Sequence, residues 1–118
     1  MNQVIVVGRL VSDPKIIETE NKKKTIVTIR VPRSYKDLNG VYKSDVVDCV
    51  LWSEMAQQVC ELCKKGDLLA VKGRIQSSVT IDDGTTYDET VKNELTIVAE
   101  KVTFLANGRK NSNEWQWT

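Results

Sequence analysis

Val46-Val47-Asp48-Cys49-Val50-Leu51-Trp52 runs directly into Ser53-Glu54-Met55-Ala56-Gln57-Gln58-Val59-Cys60-Glu61-Leu62-Cys63-Lys64-Lys65-Gly66, and the apolar period changes at Trp52. Before it the period is two, with Val47, Cys49 and Leu51 on one face of a strand and Val46, Asp48, Val50 and Trp52 on the other. A tryptophan that ends the face carrying an aspartate is expected to meet solvent. Beyond it Met55, Ala56, Val59, Cys60, Leu62 and Cys63 recur at helical spacing. Ser53 reads as an N-cap and Gly66 as a stop, which predicts a helix over residues 53–65. Residues 68–78 return to a strand, with Leu69, Val71, Gly73 and Ile75 facing one way and Ala70, Lys72, Arg74, Gln76 and Ser78 the other.

Outward from this unit, residues 2–11 read as a strand around the β-branched run 4–7, closed by Asp13-Pro14. Residues 18–24 read as a polar loop, and residues 25–31 as an alternating strand with Val27, Ile29 and Val31 on its apolar face, broken or edged by Pro32. Residues 34–44 read as a loop turning at Asn39-Gly40, Asp82-Asp83-Gly84 as a hairpin tip, and residues 93–105 as the last long strand. Three strands, one helix and two strands suit an all-β, five-stranded Greek-key barrel of the OB type, its helix between strands three and four plugging the bottom. A generic α+β sandwich is the alternative. The expected organisation is one domain over residues 1–105 and a polar, flexible tail over 106–118.

A chain of 118 residues holds one ordinary domain, and 41 % hydrophobic content argues against wholesale disorder. No apolar run approaches the roughly 18 residues of a membrane span, and there is no basic-then-apolar leader, so the expected location is cytoplasmic, with no membrane partner. Histidine is absent, which removes the commonest general base and metal ligand. Neither a phosphate-cradling glycine loop nor a nucleophile elbow is present. The expectation is a non-enzymatic protein without cofactor or metal. Cys49, Cys60 and Cys63 read as reduced thiols, and the Cys60–Cys63 spacing as helix packing, since a zinc site needs about four ligands.

The net charge of +1 is unevenly placed. Residues 1–45 carry nine Lys/Arg against five Asp/Glu, and the remainder eight against eleven. Arg33, Lys36 and Lys43 lie around Tyr35 in the loop after strand two, Lys72 and Arg74 share the outer face of strand four, and Trp52 ends the outer face of strand three. Cations that track phosphates, interleaved with aromatic planes on which unpaired bases stack, are what single-stranded DNA requires. The candidate site is therefore Arg33, Tyr35, Lys36, Lys43, Trp52, Lys72 and Arg74, with single-stranded DNA as the partner.

Met1-Asn2-Gln3-Val4, Val7-Gly8-Arg9-Leu10, Asp13-Pro14, Arg33-Ser34-Tyr35, Cys49-Val50-Leu51-Trp52, Lys65-Gly66, Val71-Lys72-Gly73-Arg74-Ile75-Gln76 and Val102-Thr103-Phe104-Leu105 follow one another along the chain. In that order they resemble the bacterial single-stranded-DNA-binding proteins. The resemblance implies an OB fold, usually a homotetramer, that binds and protects single-stranded DNA without reading its sequence in replication, recombination or repair. It also implies base stacking at Tyr35 and Trp52, and replication or repair proteins as further partners. Val46 and Thr80 stand where the family often has aromatics, and Asp48, Glu54, Gln76 and Ser78 where some relatives carry cations. Lys72 and Arg74 are expected to replace these in part. The acidic C-terminal tip of the family has no counterpart in Asn113-Glu114-Trp115-Gln116-Trp117-Thr118, which points to a short, tail-less or accessory member. These departures leave an alternative: an OB-fold adaptor of the primosomal type, acting mainly through protein contacts. An open strand edge at residues 4–7 is expected to pair with its symmetry mate.

Overall fold

The computed structural model describes residues 1–108. Its elements are β1 (Val4–Leu10), β2 (Ile17–Thr19), β3 (Lys22–Lys36), β4 (Tyr42–Trp52), α1 (Ser53–Leu62), β5 (Leu68–Ser77) and β6 (Leu95–Ala106). Antiparallel pairing joins β3 to β4, β5 to β6 and β1 to β5, whereas β4 and β6 run parallel through Cys49–Ile97 and Val50–Val98. The ring closes where β1 crosses to β3 at Arg9–Arg30 and Leu10–Ile29. This is the expected five-stranded OB barrel, with β2 added as a short hairpin arm on β3.

Alternation sets the core. Val27, Ile29, Cys49, Leu51, Leu69 and Val71 point inward and are at most 1 % exposed, as their period-two spacing requires. Ala56, Val59 and Cys63 close the bottom from the helix side. Each fully buried Val, Leu or Ile stabilises the barrel by roughly 1.5–3 kcal/mol before entropy is counted. Thr25, inward and buried, satisfies its hydroxyl by donating to the Lys15 carbonyl at 2.7 Å. Gly8 permits the closure: a Cβ there would overlap the Arg30 carbonyl oxygen, so β1 and β3 could not approach.

Several boundaries differ from the sequence reading. Residues 18–24 are not a loop: Glu20 and Asn21, both at positive φ, turn β2 back onto β3. Residues 34–44 shrink to a tip, because β3 runs on to Lys36 and β4 begins at Tyr42, with a register shift between Pro32 and Lys36 that absorbs the proline. The Asp37 carboxylate organises that tip by accepting the Asn39 and Val41 N–H groups, each at 2.9 Å. Ser53 is not the N-cap, since Trp52 holds that position and no side chain caps the helix. The helix stops at Leu62 rather than Lys65, because Cys63 turns extended. Buried Asp67 then ties the exit, accepting from Lys64 N–H at 2.8 Å and Gly108 N–H at 3.0 Å. Leu62, grouped with the apolar helix positions, and Ile75, set on one face with Leu69 and Val71, are exposed, whereas Ala56, Val59, Leu69 and Val71 are buried. Ala106 belongs to β6, while Trp115 and Trp117 lie outside the described residues.

Candidate nucleic-acid interface

The outer face of the β3–β4 pair is built by register. Opposed residues of an antiparallel pair share a face, so Lys24 meets Trp52, Ile26 meets Val50, Thr28 meets Asp48 and Arg30 meets Val46. Trp52 is 41 % exposed, and the Lys24 ammonium lies 5.5 Å from its ring centroid, within cation–π range. The indole is thus held at the surface by a cation, where its free area can take a stacked base. Asp48 accepts a hydrogen bond from the Thr28 hydroxyl at 2.7 Å, and it is the one acid on this stripe of paired residues.

Towards the tip the ribbon carries Arg33, Tyr35, Lys36 and Lys43. Tyr35 is well exposed. Arg33 makes a bidentate pair with Asp45, its Nη2 2.7 Å from Oδ1 and its Nε 3.1 Å from Oδ2. That hydrogen-bonded pair raises the Arg33 pKa further and holds the Asp45 carboxyl below the ordinary carboxylate range. Lys36 sits 5.5 Å from the centroid of the Tyr42 ring, and Lys43 is 3.6 Å from Asp37 Oδ2. Of the expected cations here, Arg33 is already committed to a carboxylate, while Lys36 sits beside an exposed aromatic.

Lys72 and Arg74 occupy another wall. Lys72 is opposite Ile5 of β1 and Lys101 of β6. Arg74 pairs with Val98, which pairs with Val50, so two strand spacings, about 10 Å, separate Arg74 from the β4 row. Its Nη1 donates to Gln76 at 2.8 Å. The fold therefore brings Tyr35, Lys36 and Trp52 along one ribbon and leaves Lys72 and Arg74 on a neighbouring surface. Sequence reasoning set Arg30 on the outer face of strand two but left it, Lys24 and Tyr42 out of the candidate site. Continuing the strand-two alternation backward past Thr25 would have found Lys24.

The thiols take no part in this face. Burial, with a smaller contribution from Asp48, pushes the Cys49 thiol up to about 11, and burial also raises Cys63. All three cysteines are free. Among the described residues no cluster of three or more His, Cys, Asp or Glu could hold a metal, and no helix is long and apolar enough to cross a membrane.

Residues 1–105 match the single-strand binding protein family. Single-stranded DNA-binding protein B of Bacillus subtilis is 42 % identical over 77 residues, covering 64 % of this chain and 68 % of the relative. Single-stranded DNA-binding protein 3 of Clostridium acetobutylicum is 35 % identical over 116 residues, covering 96 % of this chain and 76 % of the relative. Single-stranded DNA-binding protein 1 of Lactococcus lactis is 36 % identical over 78 residues, and the match takes in 65 % of this chain and about half of that protein, 52 %. The crystal structure of the wild-type single-stranded DNA binding protein from Thermus aquaticus superposes with a TM-score of 0.68 at 23 % identity, covering 92 % of this chain and 52 % of that one, a likeness of fold.

Proposed function

We propose that this chain, which belongs to the single-strand binding protein family, binds single-stranded DNA without reading its sequence and so protects it during replication, recombination or repair. Bases stack on Trp52 and Tyr35, while Lys36, Lys72 and Arg74 neutralise phosphates, and Arg33 and Lys43 join them only by exchanging Asp45 and Asp37 for the DNA. The observation that carries the reading is Trp52: a large aromatic at the end of a solvent-facing row, 41 % exposed, with a lysine over its ring. Nothing in that role calls for catalysis, a metal or a cofactor, and a cytoplasmic location fits it. The adaptor alternative is not favoured, because the relatives that match are single-stranded DNA-binding proteins by name and the aromatic-cation pairing is present.

Titration of oligo-dT and of a duplex of equal length at two salt concentrations tests this function. Submicromolar affinity for the single strand with little for the duplex is expected. Equal or absent affinity for both would overturn it.

Assembly follows from β1. β5 pairs with it along Val4–Arg9, but β3 reaches it only at Arg9 and Leu10, so residues 4–7 keep one unpaired edge among the described residues. Pairing of that edge across a two-fold axis, with exposed Ile5 beside it, supports a dimer, and two dimers a tetramer. Light scattering at micromolar concentration is expected to give about four times the 13.3 kDa chain mass, and a single-chain mass would refute the assembly.

A further inference from the structure

We infer that the apolar groove between α1 and β6 is a docking site for residues 109–118 of the same chain, whose two tryptophans, Trp115 and Trp117, fill it. The inference stands apart from the proposed DNA binding, since no residue of the groove belongs to the candidate site.

The groove is open and apolar. It holds about 360 Å³, within the range of clefts that take small apolar groups. Met55, Val59 and Leu62 line it from α1 at helical spacing, and Val102 and Phe104 line it from β6 at strand spacing. Among the described residues Gln58 is its one polar lining side chain, so it is not built for a phosphate or a charged peptide. Leu62 is 73 % exposed and Phe104 51 %, although Val59 beside them is buried. Single apolar residues scattered on a surface are ordinary, but a leucine and a phenylalanine facing one cleft form a patch that calls for a partner.

The described residues end next to this groove. Gly108 donates its N–H to Asp67 Oδ1 at 3.0 Å and packs against Gly66, three residues after Cys63, which lines the groove. Those three residues span at most about 11 Å. From Leu62 to Met55 the groove follows seven residues of helix, about 10 Å. Seven residues also separate Gly108 from Trp115, an extended reach of about 23–25 Å. Trp115 can therefore reach any point of the groove, its far end included.

Composition selects the part of the tail that enters. Arg109-Lys110-Asn111-Ser112-Asn113-Glu114 is polar throughout, and Trp115 and Trp117 are the sole apolar residues after Gly108. Spaced two apart, they fall on one side of an extended chain, with Gln116 on the other. Each indole takes about 150–250 Å² out of water when covered, and the exposed Leu62 and Phe104 supply the apolar surface to cover it.

Intrinsic fluorescence of the full chain tests the docking, in a Trp52→Phe background so that only Trp115 and Trp117 emit. A peptide of residues 109–118 gives the values for solvated indoles. The parent chain is expected to emit to the blue of the peptide and to be quenched by acrylamide at least about twofold less, because docked indoles leave water. Leu62→Gln and, at the far end, Met55→Gln are each expected to return emission and quenching to the peptide values, while Leu62→Met keeps those of the parent. Leu62→Gln is also expected to lower the melting temperature only in chains that retain both tryptophans. In Trp115→Ser/Trp117→Ser chains it is expected to change nothing, which separates lost docking from a damaged helix. A parent that emits and is quenched like the peptide would overturn the inference. So would indoles that stay protected in folded Leu62→Gln and Met55→Gln proteins, since they would then be buried elsewhere. Co-expressing the Leu62→Gln chain with a chain that lacks all three tryptophans is expected to leave the emission red. Recovery of the blue emission would move the tail onto a neighbouring copy and overturn docking within one chain.

Discussion

Along β3, neighbouring residues live in opposite environments. Thr25, Val27 and Ile29 are at most 1 % exposed and form the barrel interior, while Lys24, Ile26, Thr28 and Arg30, one residue away, form the outer wall. The same division holds on β4, where Leu51 is fully buried and Trp52 faces out. The inner set is held by packing and tolerates little change. The outer set is free to be chosen for what it binds, because changing it removes little buried area. On the proposed function, stability and binding would fall to alternating residues of the same two strands.

The sharpest way to break this comparison is to exchange its two faces at one point. Leu51→Ala leaves a cavity in the core, and a loss of about 2–5 kcal/mol of unfolding free energy is expected in denaturant titration. Trp52→Ala, one residue on, is expected to change stability far less while weakening oligo-dT binding by about tenfold, since a stacked base is worth about 1–3 kcal/mol. Removing both Trp115 and Trp117 from the background keeps the Trp52 fluorescence signal separate. An affinity unchanged in folded Trp52→Ala protein would take this residue out of the site, and an undiminished stability in Leu51→Ala would deny the division of faces.

A smaller effect sharpens the boundary of the binding wall. Lys72 and Arg74 stand on the β1–β5–β6 surface beside Ile5, Lys101 and Val98. Their joint replacement by alanine is expected to reduce the salt slope by up to about 1.4 if the strand crosses β6. A slope and affinity that do not move would confine the DNA to the β3–β4 ribbon.

The smallest expected effect concerns the ribbon itself. Asp45 has its folded-state pKa lowered by Arg33, so the pair contributes stability at neutral pH and above the unfolded carboxylate value. That contribution fades as pH falls through the lowered value, below about pH 4. Both groups are exposed, so the melting temperature of wild type is expected to exceed that of Asp45→Asn only slightly at pH 7 and to converge with it in acid. A difference that grows on acidification would contradict the assigned pairing.

Local sequence pattern was enough to place the five barrel strands and the helix, and to turn Trp52 outward, because burial on one face of a strand imposes alternation residue by residue. It was also enough to separate Val27 and Ile29 from Thr28 and Arg30. It failed at residues 18–24 and 34–44, where the chain leaves the barrel and both faces meet solvent. There no burial enforces alternation, polar composition resembles a loop, and only cross-strand hydrogen bonding to β2 or β4 makes a strand. Tyr35 and Trp52 were legible as exposed aromatics from residue type and parity. That Lys24 would lie against Trp52, 28 positions away in the chain, depended on the β3–β4 register. That Arg33 would be tied to Asp45 depended on the β3–β4 pairing, which sets Val31 opposite Asp45 just before the register shift. By itself, then, the sequence determined which residues alternate inward, where the strand period becomes helical, and that β1 carries a glycine at position 8. Only the tertiary structure decided that β4 and β6 pair in parallel, that β1 reaches β3 to close the barrel over that glycine, and which cations share a face with which aromatics. The physical reason is that side-chain direction is a property of each strand, whereas neighbours across a sheet are set by pairing between distant segments.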